Sequence, residues 1–149
     1  MQLAQLNIAH PKFPLESPEI KDFMDGLDRI NAIAEQSDGF IWRLMDEAGD
    51  ATSIVAFDDP NIIVNMSVWK DQDSLKNFMF RTDHRDFLKR KKEWFDLKGE
   101  DTYVLWWVDD GVIPSVEDAV EKLIFLRENG DTARAFTFKS NFSPEDLGK

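Results

Sequence analysis

Apolar and polar residues alternate through QLAQLNIA (residues 2–9), with Ala4, Leu6 and Ile8 on one side and Gln5 and Asn7 on the other. That period of two marks a strand with one apolar face. The alternation returns in NIIVNMSVWK (61–70), where Ile62, Val64, Met66 and Val68 oppose Asn65, Ser67 and Trp69. Between the two runs the spacing changes. Ile20, Phe23, Met24, Leu27, Ile30 and Ala34 recur at three and four residues, the stripe of an amphipathic helix. Ser17-Pro18-Glu19 supplies its start, with Ser17 as an N-cap accepting an amide hydrogen bond and Pro18 in the first turn. Asp38-Gly39 ends it. FIWRLM (40–45) and TSIVAF (52–57) read as strands, joined by the polar turn DEAGD (46–50) and followed by the turn Asp58-Asp59-Pro60.

Downstream, residues 71–74 open a helix carrying Leu75, Phe78 and Met79, and a second helical stretch over about 82–96 carries Phe87, Leu88, Trp94 and Phe95. TYVLWWV (102–108) is a strand, and Gly111 to Pro114 a turn. Ser115 and Asp118 have capping-box spacing before Val116, Ala119, Val120, Leu123 and Ile124, and Asn129-Gly130 is the stop. AFTF (135–138) reads as a last short strand and NFSPEDLGK as a frayed end. The order fits a ferredoxin-like α+β plan, βαββαβ, with an antiparallel sheet and both helices on one face. Residues 1–149 form one domain, with 111–149 as a helix–strand extension packing on the sheet edge or reaching a partner. This arrangement gives the helices the apolar face, Ala4 to Val68. It leaves Gln5, Asn7, Asn65, Ser67 and Trp69 on the far face, which a second subunit or a ligand must cover.

Length and composition suit one folded domain: 149 residues, 42% hydrophobic, with five Trp and twelve Phe. No apolar run is long enough to span a membrane, and MQLAQLNIAHPKF lacks the pattern of a leader, so a soluble cytoplasmic protein is expected. The absence of Cys excludes disulfides and thiol nucleophiles. A net charge of −11 argues against nucleic acid as a partner. The basic run HRDFLKRKKEW reads as a solvated helix face. Two separated His without metal-ligand spacing predict no metal site.

The stretches GFIWRL, NMSVWKDQDSLKNF, TDHRDFLKRKKEWF, YVLWWV and IPSVEDAVEKLIFLRENGDTARAFTF together resemble a bacterial family of uncharacterised proteins. That family is placed in the dimeric α+β barrel superfamily, beside the antibiotic-biosynthesis monooxygenases. The resemblance implies a homodimer with a cavity between each sheet and its helices or its partner. It covers nearly the whole chain. Within it, Asn7 resembles a strand Asn of haem-degrading and monooxygenase members. Asn65 and Trp69 resemble the pair with which quinone-forming monooxygenases hold an aromatic substrate and dioxygen. His84 resembles the axial His of haem-degrading relatives, although its interval from Trp69 is shorter and Phe78 replaces a second Trp.

These residues support two readings from different classes. In the first, the protein is a cofactor-independent monooxygenase or related enzyme acting on an aromatic or polyketide-like molecule. Asn65 and Asn7 orient oxygens, Trp69 stacks on the substrate, and His84 takes a phenolic proton. Ser67, Trp42 and Trp107 complete the lining. In the second, it is a non-catalytic homodimer that binds a small apolar or aromatic ligand, with haem as a further alternative. Each candidate also has a structural reading: His84 on the stripe of Phe87 and Leu88 as a packed residue, the Asn pair as polar contacts at an interface. Arg43 could neutralise an anionic substrate, but a surface salt bridge is the expected reading; Trp94 is expected in the core and His10 in a loop.

Overall fold

β1 (Gln2–Pro11) is the strand on which the rest of the sheet is registered. The computed structural model describes residues 1–14, 16–44, 62–81, 85, 89–96 and 102–148. After β1, a 3-10 turn (Pro18–Ile20) leads into α1 (Lys21–Gln36) and β2 (Phe40–Arg43). β3 (Ile63–Trp69) and α2 (Gln72–Arg81) follow, then the single turn α3 (Lys91–Trp94), β4 (Phe95–Asp96), β5 (Tyr103–Val108), α4 (Val116–Asn129) and a closing 3-10 turn (Pro144–Gly148). All pairings are antiparallel: β3 lies on β1, β2 lies on β3, and β5 and β4 pair with successive stretches of β1. The domain is thus α+β, as the alternation predicts. The strand expected at 52–57 lies outside the described residues, as do residues 82–84 and 86–88 of the helix expected over 82–96. At the end of that stretch the chain is extended: Phe95 and Asp96 pair with Pro11 and His10, so His10 sits on a strand rather than in a loop.

The two faces of the sheet are covered differently from the expected scheme. Ile30 and Ala34 of α1 and Leu75 and Phe78 of α2 pack against Leu3, Trp69 and Leu105. Those strand positions share a face with Gln5, Asn7, Asn65 and Ser67, because the register sets Leu3, Gln5 and Asn7 opposite Trp69, Ser67 and Asn65. The helices therefore cover the mixed polar face. The apolar face, Ala4, Leu6, Ile8, Val64, Met66, Val68, Val104 and Trp106, packs against Ala119, Leu123 and Leu126 of α4. Helices lie on both faces, and α4 covers a face rather than an edge. The physical reason is size of the apolar surface. A continuous face of Val, Leu, Ile and Met stabilises the fold most when buried completely, and α4 carries a matching stripe. Each of these strand residues is at most 3% exposed without any second chain.

Local sequence sets the ends of the elements. Ser115 Oγ accepts from Asp118 N at 3.0 Å, and Ser115 N donates to Asp118 Oδ2 at 3.3 Å, completing the capping box expected for α4. Gly130 at φ 73° ends that helix. Ser17 behaves differently from expectation, its hydroxyl donating to Pro14 O at 2.6 Å instead of capping. The C-terminal segment is docked, not frayed. Phe136 exchanges backbone hydrogen bonds with Leu105 as an isolated bridge, and Trp107 Nε1 donates to Phe142 O at 3.2 Å.

Gly39 closes the α1–β2 turn at φ 83°, and its carbonyl accepts from Lys70 N at 2.7 Å. A Cβ there would overlap the Ser74 side chain at the start of α2, whereas one on Gly111, at φ 82°, would meet nothing within 4 Å. Gly39→Ala should therefore lose about 2–4 kcal/mol in urea unfolding, through backbone strain plus overlap. Gly111→Ala should lose only the strain, about 1–2 kcal/mol. Equal losses in the two variants would show that the Gly39–Ser74 contact is not a packing constraint.

Candidate functional site

Three rows of side chains cross the sheet beneath α1 and α2. Asn65 and Asn7 form one row, Ser67 and Gln5 the next, Trp69 and Leu3 the third. β2 extends two of them, because Arg43 pairs with Ser67 and Phe40 with Trp69. A bulge between Phe40 and Trp42 makes this possible: regular alternation would put Phe40 and Trp42 on one face. Instead Trp42 turns to the opposite face and packs beside Val68 against the α4 core. Trp42 thus does not line the site, contrary to expectation.

A cavity of about 50 Å³ opens between this face and the helices. Gln5, Asn7, Asn65, Ser67 and Trp69 form its floor. Asn31 and Ala34 come from α1, Leu75, Phe78 and Met79 from α2, and Phe40 and Arg43 from β2. The space is large enough for ordered water or a small polar group. Small-molecule pockets usually measure on the order of 300–1,000 Å³, so a fused aromatic nucleus does not fit within it. His84, on which the haem alternative depends, lies outside the described residues. No cluster of His, Cys, Asp or Glu among the described residues could hold a metal ion, and no helix there is long and apolar enough to cross a membrane.

The floor carries a closed polar relay. Trp69 Nε1 donates to Ser67 Oγ at 2.8 Å. Gln5 Nε2 donates to the same oxygen at 2.8 Å and to Asn65 Oδ1 at 2.7 Å. An indole N–H can only donate, which fixes the direction of the first bond. Both acceptor positions of Ser67 Oγ are then filled, so its own O–H remains to donate, and no described residue accepts it. Two donors into one hydroxyl also polarise it, making that O–H a stronger donor than an isolated serine's. Asn65, with Oδ1 engaged, presents its Nδ2 hydrogens. Gln5, Ser67 and Trp69 are buried, whereas Asn65 is exposed and marks the mouth.

Of the expected site residues, Asn7, Asn65, Ser67 and Trp69 meet at the cavity. They do so under the chain's own helices, not on a face left for a partner. Trp69 has a different part from the one expected. Phe78 stacks on it with centroids 5.2 Å apart and planes 24° apart, and Phe40 meets it edge-on at 5.4 Å. With 1% of its surface exposed, its ring is committed to protein and it acts on the cavity through its N–H. Trp107 shares the face but lies outside the lining, under Phe136 and Phe142. Arg43 forms the expected salt bridge, to Glu35 at 2.7 Å, and also lines the cavity with a side chain 12% exposed. Gln5 and Asn31 were not expected there. Gln5 had a readable signal, since it alternates in phase with Asn7; an amide beside Ile30 on α1 gave none.

A family model described as a domain of unknown function, DUF3291, matches residues 2–149. The chain belongs to the DUF3291 family. No curated protein matches it at a significant level. Among solved structures, the DUF3291 chain is similar to a protein of unknown function from Nitrosomonas europaea, with a TM-score of 0.50 and 9% identity over 76% of this chain and 95% of that one. It is also similar to SnoaB, a cofactor-independent oxygenase from Streptomyces nogalater, with a TM-score of 0.49 and 14% identity over 76% and 98% of the two chains. A conserved protein from Methanosarcina mazei gives a TM-score of 0.49 and 17% identity over 71% and 91%. At such identities the Nitrosomonas likeness is one of fold alone.

Removing the shared acceptor should expose the cost of the relay. Ser67→Ala leaves two buried donors unpaired and should lose about 2–3 kcal/mol in urea unfolding. Asn65→Ala, at the exposed end where water can replace Oδ1 as acceptor for Gln5 Nε2, should lose less, about 0.5–1 kcal/mol. A Ser67→Ala variant as stable as Asn65→Ala would show that the relay is not formed in solution.

Proposed function

We propose that the DUF3291 chain is a small-molecule enzyme of the cofactor-independent monooxygenase kind, acting on an aromatic molecule whose oxygen-bearing end enters the cavity between sheet and helices. One observation carries this reading: a polarised Ser67 O–H, buried and without a protein acceptor among the described residues, lines a polar space beside the amides of Asn7, Asn31 and Asn65. A preorganised donor of this sort stabilises negative charge that develops on a substrate oxygen. The aromatic body would lie towards the mouth at Asn65, since the cavity takes no ring system. His84 is proposed as the base that removes the phenolic proton. For a substrate with a reactive CH₂ group, dioxygen would give one atom to the new carbonyl and leave the other as water, with the two hydrogens coming from that carbon.

The strand order β2–β3–β1–β5 with α1 and α2 on one face also supports a ferredoxin-like subunit. We propose it as the subunit of a cytoplasmic homodimer of the dimeric α+β barrel type. Because α4 covers the apolar face, the subunits would meet through the outer side of α4 and its entry turn, where Ile113 is 59% and Ile124 45% exposed.

A second reading has its own support. The indole of Trp69 is packed against Phe78 and Phe40, so that ring is not free to hold a flat substrate for chemistry. Simple ligand binding without turnover then accounts for the same donors. Dioxygen uptake separates the two, measured with a panel of hydroxylated aromatics in the presence of a metal chelator. The enzyme reading expects turnover that falls about 10²-fold or more in Ser67→Ala and in His84→Ala. Uptake no faster than in buffer across the panel would overturn it. For the dimer, light scattering should give twice the mass of 17.3 kDa, reverting towards the monomer in an Ile113→Lys, Ile124→Lys variant.

A further inference from the structure

We infer that the cavity receives an uncharged group that carries a hydrogen-bond donor beside an acceptor, of which a primary carboxamide is the simplest. The inference rests on the cavity reading above and names the chemistry of what enters it. The polar groups of the lining divide into those spent on protein and those left for a ligand. Gln5 Nε2 has donated both hydrogens, to Ser67 and to Asn65, and Ser67 Oγ has accepted from both Gln5 and Trp69. The relay leaves over one donor, the Ser67 O–H, and one acceptor, Gln5 Oε1. That oxygen has no partner among the described residues and is not sealed in protein, so it opens onto the space that Gln5 lines. Asn7 and Asn31 each add an amide to the lining, and neither side chain bonds to another described residue. Each brings an acceptor oxygen and two N–H donors.

The same lining offers no unbalanced charge. Among the described residues no Asp or Glu contributes to it, and the Arg43 guanidinium is held by Glu35 at 2.7 Å and by a further protein contact. An ion entering this space exchanges its hydration shell for neutral dipoles, which costs far more than moving an uncharged amide. The net charge of −11 adds a long-range field that disfavours an anion. Among uncharged groups, one that only accepts leaves Gln5 Oε1 and the Asn oxygens without a donor, and one that only donates leaves the Ser67 O–H unmet. A carboxamide answers both within three atoms. Its oxygen accepts from Ser67, and its N–H groups donate to a neighbouring amide oxygen.

The test uses the full chain with benzamide, acetophenone and benzoate, which place an amine, a methyl and an anionic oxygen at the same position of one skeleton. Binding is followed by the Trp69 indole N–H resonance, assigned with Trp69→Phe. Benzamide should shift that resonance saturably, with acetophenone and benzoate bound at least about tenfold more weakly. The double variant Asn7→Leu, Asn31→Leu leaves the relay residues in place. It should weaken benzamide about tenfold and change acetophenone by less than about twofold. If circular dichroism shows the pair unfolded, Asn31→Leu alone carries the comparison. Acetophenone or benzoate binding as tightly as benzamide would overturn the donor–acceptor assignment while the cavity reading stands. Benzamide binding that ignores the loss of the Asn amides would overturn it as well. No shift with any of the three probes would overturn both.

Discussion

One oxygen atom, Ser67 Oγ, constrains much of this molecule. It lies inside the seam between a sheet and two helices, where an unpaired indole or amide N–H costs about 1–3 kcal/mol. It accepts from both Trp69 and Gln5, two residues on different strands. Meeting both donors at 2.8 Å requires β1 and β3 to pair in the register that sets Gln5 opposite Ser67. A one-residue slip would move every side chain of one strand to the other face and part Gln5 from Ser67, leaving that amide without this acceptor. The bond from Trp69 also fixes the plane of its indole. Phe78 can then stack on it and Phe40 meet its edge, which locates α2 and β2 against the same ring. The polar relay specifies the arrangement, and the apolar burial around it supplies most of the stabilisation.

The alternation in residues 2–9 and 61–70 was sufficient to recover the two central strands and to group Asn7, Asn65, Ser67 and Trp69 on one face. Sidedness was not recoverable by the same logic. Assigning helices to the more apolar face assumes that the opposite face lacks a cover from its own chain. α4 breaks that assumption, because Ala119, Leu123 and Leu126 offer a second apolar stripe that seals Val64, Met66 and Val68. The sequence contained that stripe; what it did not contain was which of two amphipathic surfaces would pair with which face. Trp42 failed for a more local reason. FIWR reads as a regular strand, and the bulge that turns Trp42 away depends on β3 as its neighbour, not on any Gly or Pro in the strand itself. Phe95 failed similarly: its apolar spacing continued a helical stripe, and pairing with Pro11 decided otherwise.

The comparison of the two faces also bears on the chemistry. A face left for a partner would have made Asn65 and Trp69 contact residues whose chemistry depended on a second chain. Under α1 and α2 they belong to a space that one chain builds, with Asn31 added from above. The residues first read as substrate holders then divide by depth. Asn65 is exposed at the mouth, Ser67 is buried at the floor, and Trp69 lies behind it. Trp69 meets the cavity through the Ser67 hydroxyl, its ring being packed against Phe40 and Phe78.

That change of role alters what kind of selectivity the site can have. A free indole face accepts flat molecules of many kinds, because stacking is tolerant of substituents. A hydroxyl whose acceptor positions are filled is strict: an incoming acceptor is stabilised, and an incoming donor finds no partner at that oxygen. The small volume sharpens this, since a group that enters cannot turn to find another arrangement. In the proposed reading, selection is made on the hydrogen-bonding character of a few atoms at one end of the ligand, and the shape of the remainder is read outside the cavity.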